Sequence, residues 1–381
     1  MAARIDFIFF DAGGGHRAAA TALRSVVERR NRPWEARLVN LQEILDEADP
    51  FRKITGVRLQ DCYNLLLENG WTLGSSQLLK ALQNGIRLFH ATHVRLLKEF
   101  WNRDAPDMVV SLVPNFNRAL FRAYEEVRPG APYVTVLTDM ADYPPHFWIE
   151  RQDQWYICGT EKAARQATDM GVPAERIARS SGMILRPGFY SRSDVDRASE
   201  RRRLGLREDL PTGLVMFGGH GSSLMLDIAG HLQRSHTGLQ MIYMCGRNDK
   251  LARRLRNSES RFPVHVEGFT SEIPHFMRLA DFFIGKPGPG SISEAIAMDL
   301  PVIVQRNVRT LPQERYNADW VLENDLGLVV GSFKEIAAAV AELLEPGALE
   351  RRRKAAASIE NRAVFEIPEI LEWILRAAGN S

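Results

Sequence analysis

The sequence predicts an α/β protein built from two doubly wound domains. Three observations carry that prediction. Short apolar, β-branched runs alternate with longer stretches of helical period, and they do so in two separate series. Parallel strands need a crossover, and a helix supplies it. Glycine-rich turns stand at strand-to-helix junctions around residues 11–16, 217–223 and 286–294. Between the two series, after Pro187-Gly188, residues 191–208 are polar, charge-dense and without a strand pattern.

In the first series, residues 5–10, 108–112, 133–138 and 154–158 read as buried strands, with 35–41 as a further strand. Residues 16–29, 114–126 and 161–170 read as the helices between them. Residues 51–103 break this rhythm as one or two long helical stretches. Within them Trp71, Phe89, Phe100 and Trp101 accompany Lys80, Arg87, Arg95 and Lys98, with Glu99 as the acid over 71–100. A membrane-surface element fits this pattern, and so does a core-packing helix pair with a solvated basic side. The 191–208 stretch, with Arg201-Arg202-Arg203, reads as a linker whose arginines form a solvated face or touch an anion.

The second series places strands at 213–218, 239–245, 264–268, 281–285, 301–305 and 327–330. Helices are expected near 223–234, 248–256, 291–298, 313–322 and 333–344. Val364, Phe365, Ile367, Ile370, Leu371, Ile374 and Leu375 give 363–377 the pattern of an amphipathic helix. The expected domains are therefore 1–190 and 209–362, joined by the linker and closed by a helix over 363–381 that packs back toward the first domain. Ligands of such sheets bind in the crevice outside the strand C-termini.

Composition excludes several classes. Lys+Arg 49 against Asp+Glu 47 leaves a net charge of +2, too balanced for a protein that coats nucleic acid. With 45% hydrophobic and 25% charged residues the chain is neither disordered nor fibrous. Cys62, Cys158 and Cys245 are widely spaced and form no CxxC, which argues against a disulfide framework or zinc site and for a reducing cytoplasm. The apolar run at the start ends at Asp11 and three glycines, as a first strand does and a signal peptide does not. No apolar run reaches the length of a membrane span.

The motifs point to an anionic ligand. Gly13-x-Gly15-x-x-Ala18 formally satisfies a dinucleotide-binding fingerprint, but the strand over 35–41 ends in Asn40-Leu41 rather than in an acid. His16, on the same turn, is placed either to take a proton from an acceptor hydroxyl or to bond a nearby carbonyl. Gly218-Gly219-His220-Gly221 repeats the device in the second series. In Lys286-Pro287-Gly288-Pro289-Gly290-Ser291-Ile292-Ser293-Glu294, successive backbone N–H groups and a helix N-terminus face one place, a cradle for a pyrophosphate. Glu294 can accept two bonds from a ribose diol or stabilise the dipole of its own helix.

These residues carry a resemblance. The segments GGGHRAAA (13–20), TDM (138–140), ILRPGF (184–189), MFGGHGS (216–222), CGRNDKL (245–251), the run 266–303 and LPQERYN (311–317) resemble the family 28 glycosyltransferases of the GT-B fold. The similar branch holds monogalactosyldiacylglycerol synthases and bacterial processive diacylglycerol glucosyltransferases. More distantly, the chain is similar to the peptidoglycan GlcNAc transferase that acts on a lipid-linked muramyl peptide. The resemblance implies two Rossmann-like domains facing a cleft. It implies that Gly15, Gly218, Gly219, His220 and Gly246 belong to the UDP-sugar site, with Phe269 and Thr270 holding the uracil through backbone groups. Gly288, Gly290, Ser291 and Ile292 would cradle the phosphates, Glu294 the ribose, and Gln313, Glu314 and Asn317 the hexose. His16 and Asp139 match residues implicated in acceptor activation. The family's plant members carry a histidine soon after the TD motif, where this chain has Pro144-Pro145-His146.

The expected activity is inverting transfer of a hexose from a UDP-sugar to a lipid such as diacylglycerol. No metal or other cofactor is expected, since the helix N-terminus can meet the charge of departing UDP. The expected partners are UDP-hexose, a lipid acceptor and an anionic membrane surface, with no nucleic acid. The expected place is the cytoplasm, peripheral on the inner face of the cell membrane. A polyprenyl-linked or soluble acceptor and a UDP-sugar epimerase on the same fold are the alternatives.

Overall fold

The computed structural model describes residues 2–11, 14–46, 83–144, 146–191, 196–235 and 238–379. Gly13, Trp71, Lys80 and the helical pattern expected over 51–82 lie outside the described residues. The chain divides into two compact units, one of residues 1–187, 311–313 and 361–381 and one of residues 188–310 and 314–360.

The first unit is a parallel sheet of β1 (Ala3–Phe9), β2 (Trp34–Asn40), β3 (Met108–Ser111), β4 (Tyr133–Val136), β5 (Trp155–Cys158) and β6 (Ile177–Arg179). Their order is β2-β1-β3-β4-β5-β6. β3, β4 and β5 are buried throughout, because helices cover both faces of a parallel sheet, and such strands read as unbroken apolar runs. β6 is a short, partly exposed edge strand that the apolar pattern does not reveal.

Helix His90–Arg103 turns Leu96, Leu97 and Trp101 into this unit's core. The Trp101 indole donates to Asp6 Oδ2 at 3.1 Å, and Arg37 holds the buried Asp6 carboxylate at 2.6 and 2.8 Å. Trp101 therefore leaves the set of aromatics read as a lipid-facing element. A helical period marks an apolar face without saying what covers it, and here a polar knot draws the indole inward. Arg87, Leu88 and Phe89, just before this helix, are exposed. The C-terminal helix Ala363–Gly379 also belongs to the first unit: Arg30 donates to Glu369 at 2.7 Å, Arg32 pairs with Glu372, and Trp373 meets Trp155 edge-on.

The second unit is a parallel sheet of β7 (Thr212–Met216), β8 (Gln240–Met244), β9 (Val264–Glu267), β10 (Phe282–Gly285), β11 (Val302–Gln305) and β12 (Gly327–Val330), ordered β12-β11-β10-β7-β8-β9. The stretch expected to be a linker contains the helix Arg197–Arg203, capped by Asp196, and this helix is fastened to the second unit. Arg201 is buried and donates to the Leu279 carbonyl and to Asp281, which Arg197 also grips at 2.9 Å. Those two arginines surround the buried Asp281 carboxylate and hold it below the usual range despite its burial. The first arginine of the triplet is thus a structural ion rather than part of a solvated face. Helices Ile273–Leu279 and Ala348–Ser358 complete the unit and had no counterpart in the sequence reading.

Candidate functional site

In each sheet the chain leaves one strand for neighbours on opposite sides: at β1 and β3 in the first, at β7 and β10 in the second. These are the switch points at which doubly wound sheets take ligands. In the second unit both glycine-rich turns stand there. Gly285, ending β10, is in register with Met216, ending β7, and a Cβ on Gly285 would lie 2.6 Å from the Met216 carbonyl.

The first of those turns is built backbone on backbone. Arg247 N donates to the Gly219 carbonyl at 2.9 Å. Gly246 adopts φ +58, and a Cβ there would collide with that same carbonyl, so only glycine fits. Gly218, Gly219 and His220 are exposed beside it. Next to this turn Phe269 is 63% exposed, and the Arg247 guanidinium lies 4.4 Å from its ring centre.

The second turn opens helix Pro289–Ile296, with Gly288 as the preceding cap, Gly290 exposed, Ser291 half-buried and Ile292 buried in the core. Glu294 is half-buried on the same helix. The turn is clamped to helix Pro312–Glu323. Asn317 Nδ2 donates to the Pro287 carbonyl at 2.7 Å, and Lys286 Nζ donates to Glu314 Oε1 at 2.8 Å. Gln313 and Glu314 are buried, and Asn317 is fully so, with its Oδ1 lacking a hydrogen-bond partner among the described residues. A buried acceptor without a donor is an unusual feature, and an incoming hydroxyl would satisfy it.

At the first unit's switch point stands His16, in the first turn of helix Gly15–Arg29. Its Nδ1 lies 3.2 Å from Thr138 Oγ1, it bonds the Leu112 carbonyl beyond β3, and its ring tilts against Trp148. Burial pushes its pKa down to about 4, so the imidazole is neutral near pH 7. Asp139 is buried and accepts the Trp148 indole N–H at 2.9 Å. The structure therefore links Asp139 to the tryptophan that flanks His16. Asp142 organises this loop, accepting from Trp148 N at 2.6 Å and His146 N at 3.2 Å. Burial pushes its carboxyl up to about 6, partly offset by those backbone bonds. His146 itself is exposed, with φ +62. Trp148 and Asp142 carry no motif of their own; the short TDM segment, which includes Thr138, signalled this loop.

Two parallel six-stranded sheets, each flanked by helices and each with its glycine turns at a switch point, define a two-domain GT-B protein. Solved structures of that architecture agree. An S. aureus MnaA–UDP co-structure matches with a TM-score of 0.62 at 17% identity, over 98% of this chain and 97% of that one. The calicheamicin glycosyltransferase CalG4 matches with a TM-score of 0.60 at 16% identity, over 98% of each chain. The sequence narrows the class. Residues 214–371 match the family model described as the glycosyltransferase family 28 C-terminal domain. The chain is 29% identical over 394 residues to the chloroplastic monogalactosyldiacylglycerol synthase of Spinacia oleracea, covering 98% of this chain and 73% of the relative. Residues 214–371 thus match a glycosyltransferase family 28 C-terminal domain, and the chain is similar along nearly its whole length to monogalactosyldiacylglycerol synthases, as an enzyme of the glycosyltransferase class.

Proposed function

We propose that this glycosyltransferase moves a hexose from UDP-hexose to a lipid hydroxyl, with diacylglycerol as the acceptor. One observation carries the reading: two glycine turns and a helix N-terminus converge at the second unit's switch point, in a chain related along nearly its whole length to galactolipid synthases. The diphosphate would lie on Gly218, Gly219 and the start of helix Pro289–Ile296, where amide N–H groups and the helix dipole favour an anion. The ribose would meet Glu294, the uracil the backbone at Phe269 and Thr270, and the hexose Glu314 and Asn317, with Gln313 beside them. Neutral His16 is the base for the acceptor, and Asp139 orients its surroundings through Trp148.

In this reading the acceptor oxygen bonds to the anomeric carbon as the bond to the β-phosphate oxygen breaks. The hydroxyl proton passes to His16 and the electron pair leaves with UDP, so configuration inverts. The reading invokes no metal or cofactor. It places the enzyme in the cytoplasm against the inner face of the cell membrane, on anionic lipid. Among the described residues no helix is long and apolar enough to cross a membrane.

The test is incubation with a panel of UDP-hexoses and diacylglycerol in phosphatidylglycerol vesicles, with products read by mass spectrometry. A hexosyl diacylglycerol plus UDP is the expected result. Conversion of the UDP-sugar with no acceptor present would replace the reading with epimerisation. Glycosylation of polyprenyl-linked or soluble acceptors alone would replace the lipid.

A further inference from the structure

Lys286 directly follows β10 and clamps the turn through Glu314. Its stem folds back over the donor turn: a Cβ on Gly288 would lie 3.4 Å from Lys286 Cε, 3.2 Å from Ser291 Oγ and 3.7 Å from Glu314 Oε1. Three functional groups thus converge above Gly288, which has no side chain to fill that space. The ammonium bonds Glu314 at 2.8 Å, and the pair is asymmetric, the carboxylate side chain 10% exposed and the lysine 43%. A carboxylate so far from water needs a cation, which gives the lysine a plain structural role. Yet its ammonium sits at the open end of that pair, beside the N-terminus of helix Pro289–Ile296.

We propose that Lys286 is the cation of the leaving group. Resting on the UDP-hexose reading above, it meets the β-phosphate of the bound donor. As the bond from the anomeric carbon to the β-phosphate oxygen breaks, the electron pair moves onto that oxygen, and the Lys286 ammonium stabilises the added negative charge. Glu314 is then the residue that positions the lysine, and sugar hydroxyls donating to Glu314 take over part of the ammonium's work there. Recognition of the hexose and stabilisation of departing UDP are in this way joined through one ion pair.

Calorimetric titration of UDP and of uridine separates this role from mere neutralisation of Glu314. Lys286→Met is expected to weaken UDP about tenfold or more while uridine binding changes less than about twofold, because the lost contact is a charge-assisted bond to phosphate. In the double variant Lys286→Met with Glu314→Gln, no buried carboxylate remains to be neutralised. It is expected to bind UDP as weakly as Lys286→Met alone. Recovery of parental UDP affinity in the double variant would overturn the proposal, and so would equal losses on UDP and uridine. In turnover, Lys286→Met is expected to lower kcat far more than it raises KM for the donor, and Lys286→Arg to restore most of kcat; a rise in KM alone would overturn it. A parent chain that binds no UDP would remove the donor reading itself, whereas a UDP-binding parent with an unaffected Lys286→Met removes only the lysine's role.

Discussion

The glycine turn after β1 and the one after β10 occupy equivalent positions, each leaving a strand at its sheet's switch point and starting a helix. Their chemistry parts within a few residues. The first puts His16 in the opening turn of its helix, where burial outweighs the bond to the Leu112 carbonyl and leaves a neutral imidazole beside a threonine hydroxyl. The second puts Pro289 there and sets Lys286, Glu314 and Asn317 around Gly288. In the proposed reading one turn accepts a proton and the other holds an anion. The same backbone device thus serves two purposes, and the side chains within reach of it decide which.

The comparison is sharpened most by His16→Ala. Turnover is expected to fall by about 10²–10⁴, the usual contribution of a positioned acid–base group, with UDP affinity unchanged. A loss of UDP binding in calorimetry would show that the first turn also holds the anion, and the division of labour would collapse. Glu294→Ala is the reciprocal test. It is expected to weaken UDP by roughly 1.5–3 kcal/mol, the range for a hydrogen bond to a charged group. Unchanged affinity would return Glu294 to the role of stabilising its own helix.

The two turns were not equally legible in sequence. Glycines at strand-to-helix junctions announced both: Gly14 adopts φ +77, which glycine takes readily, and a Cβ on Gly288 would lie 3.2 Å from Ser291 Oγ. Interior strands were legible because burial on both faces requires unbroken apolar runs, while the edge strand β6 and the short helix Ile273–Leu279 lack that constraint. What surrounds each turn was hidden. Thr138 and Trp148 reach His16 from a loop more than a hundred residues away, and Glu314 reaches Lys286 from another helix. Such partnerships are made by the fold, and no local spacing encodes them. Of the two readings open for Trp101 the core-packing one holds, and what decides it was hidden for the same reason: its partner, Asp6, lies on β1.

A pH titration of stability examines the proton-handling turn with no substrate present. The folded pKa of His16 lies below the value of about 6.5 expected when unfolded. Between about 4 and 6.5 the unfolded chain therefore binds a proton that the folded chain refuses, and stability falls as pH is lowered through that window. His16→Gln is expected to flatten that part of the curve in urea midpoints measured from pH 7 to pH 4. Parallel curves for parent and variant would mean that the imidazole is hydrated and titrates normally. Asp142 acts with the opposite sign, its raised folded pKa of about 6 favouring the folded state toward acid. Only the difference between parent and variant isolates the histidine.

The smallest expected effect concerns the lipid side of the proposal, and it too rests on a contrast within the first unit. Of the basic residues described near the exposed Leu88 and Phe89, Arg95 is paired with Glu99 at 2.6 Å and Lys98 with Glu126 at 2.7 Å. Lys98 and Arg122 hold Glu126 below the usual carboxylate range, so those charges are already met within the protein. Arg87 is exposed, with no ion pair among the described residues. A basic residue near an anionic leaflet contributes about 1 kcal/mol, and a neutralised one contributes little. Arg87→Gln is therefore expected to reduce co-sedimentation with phosphatidylglycerol vesicles about fivefold. Arg95→Gln and Lys98→Gln should each change it by less than about twofold. High salt should erase the Arg87 effect, since charges on an exposed surface are screened within about 10 Å at moderate ionic strength. If all three variants lose binding equally, net charge rather than the exposed end of this helix drives the contact. If none loses any, the lipid surface meets the first unit elsewhere.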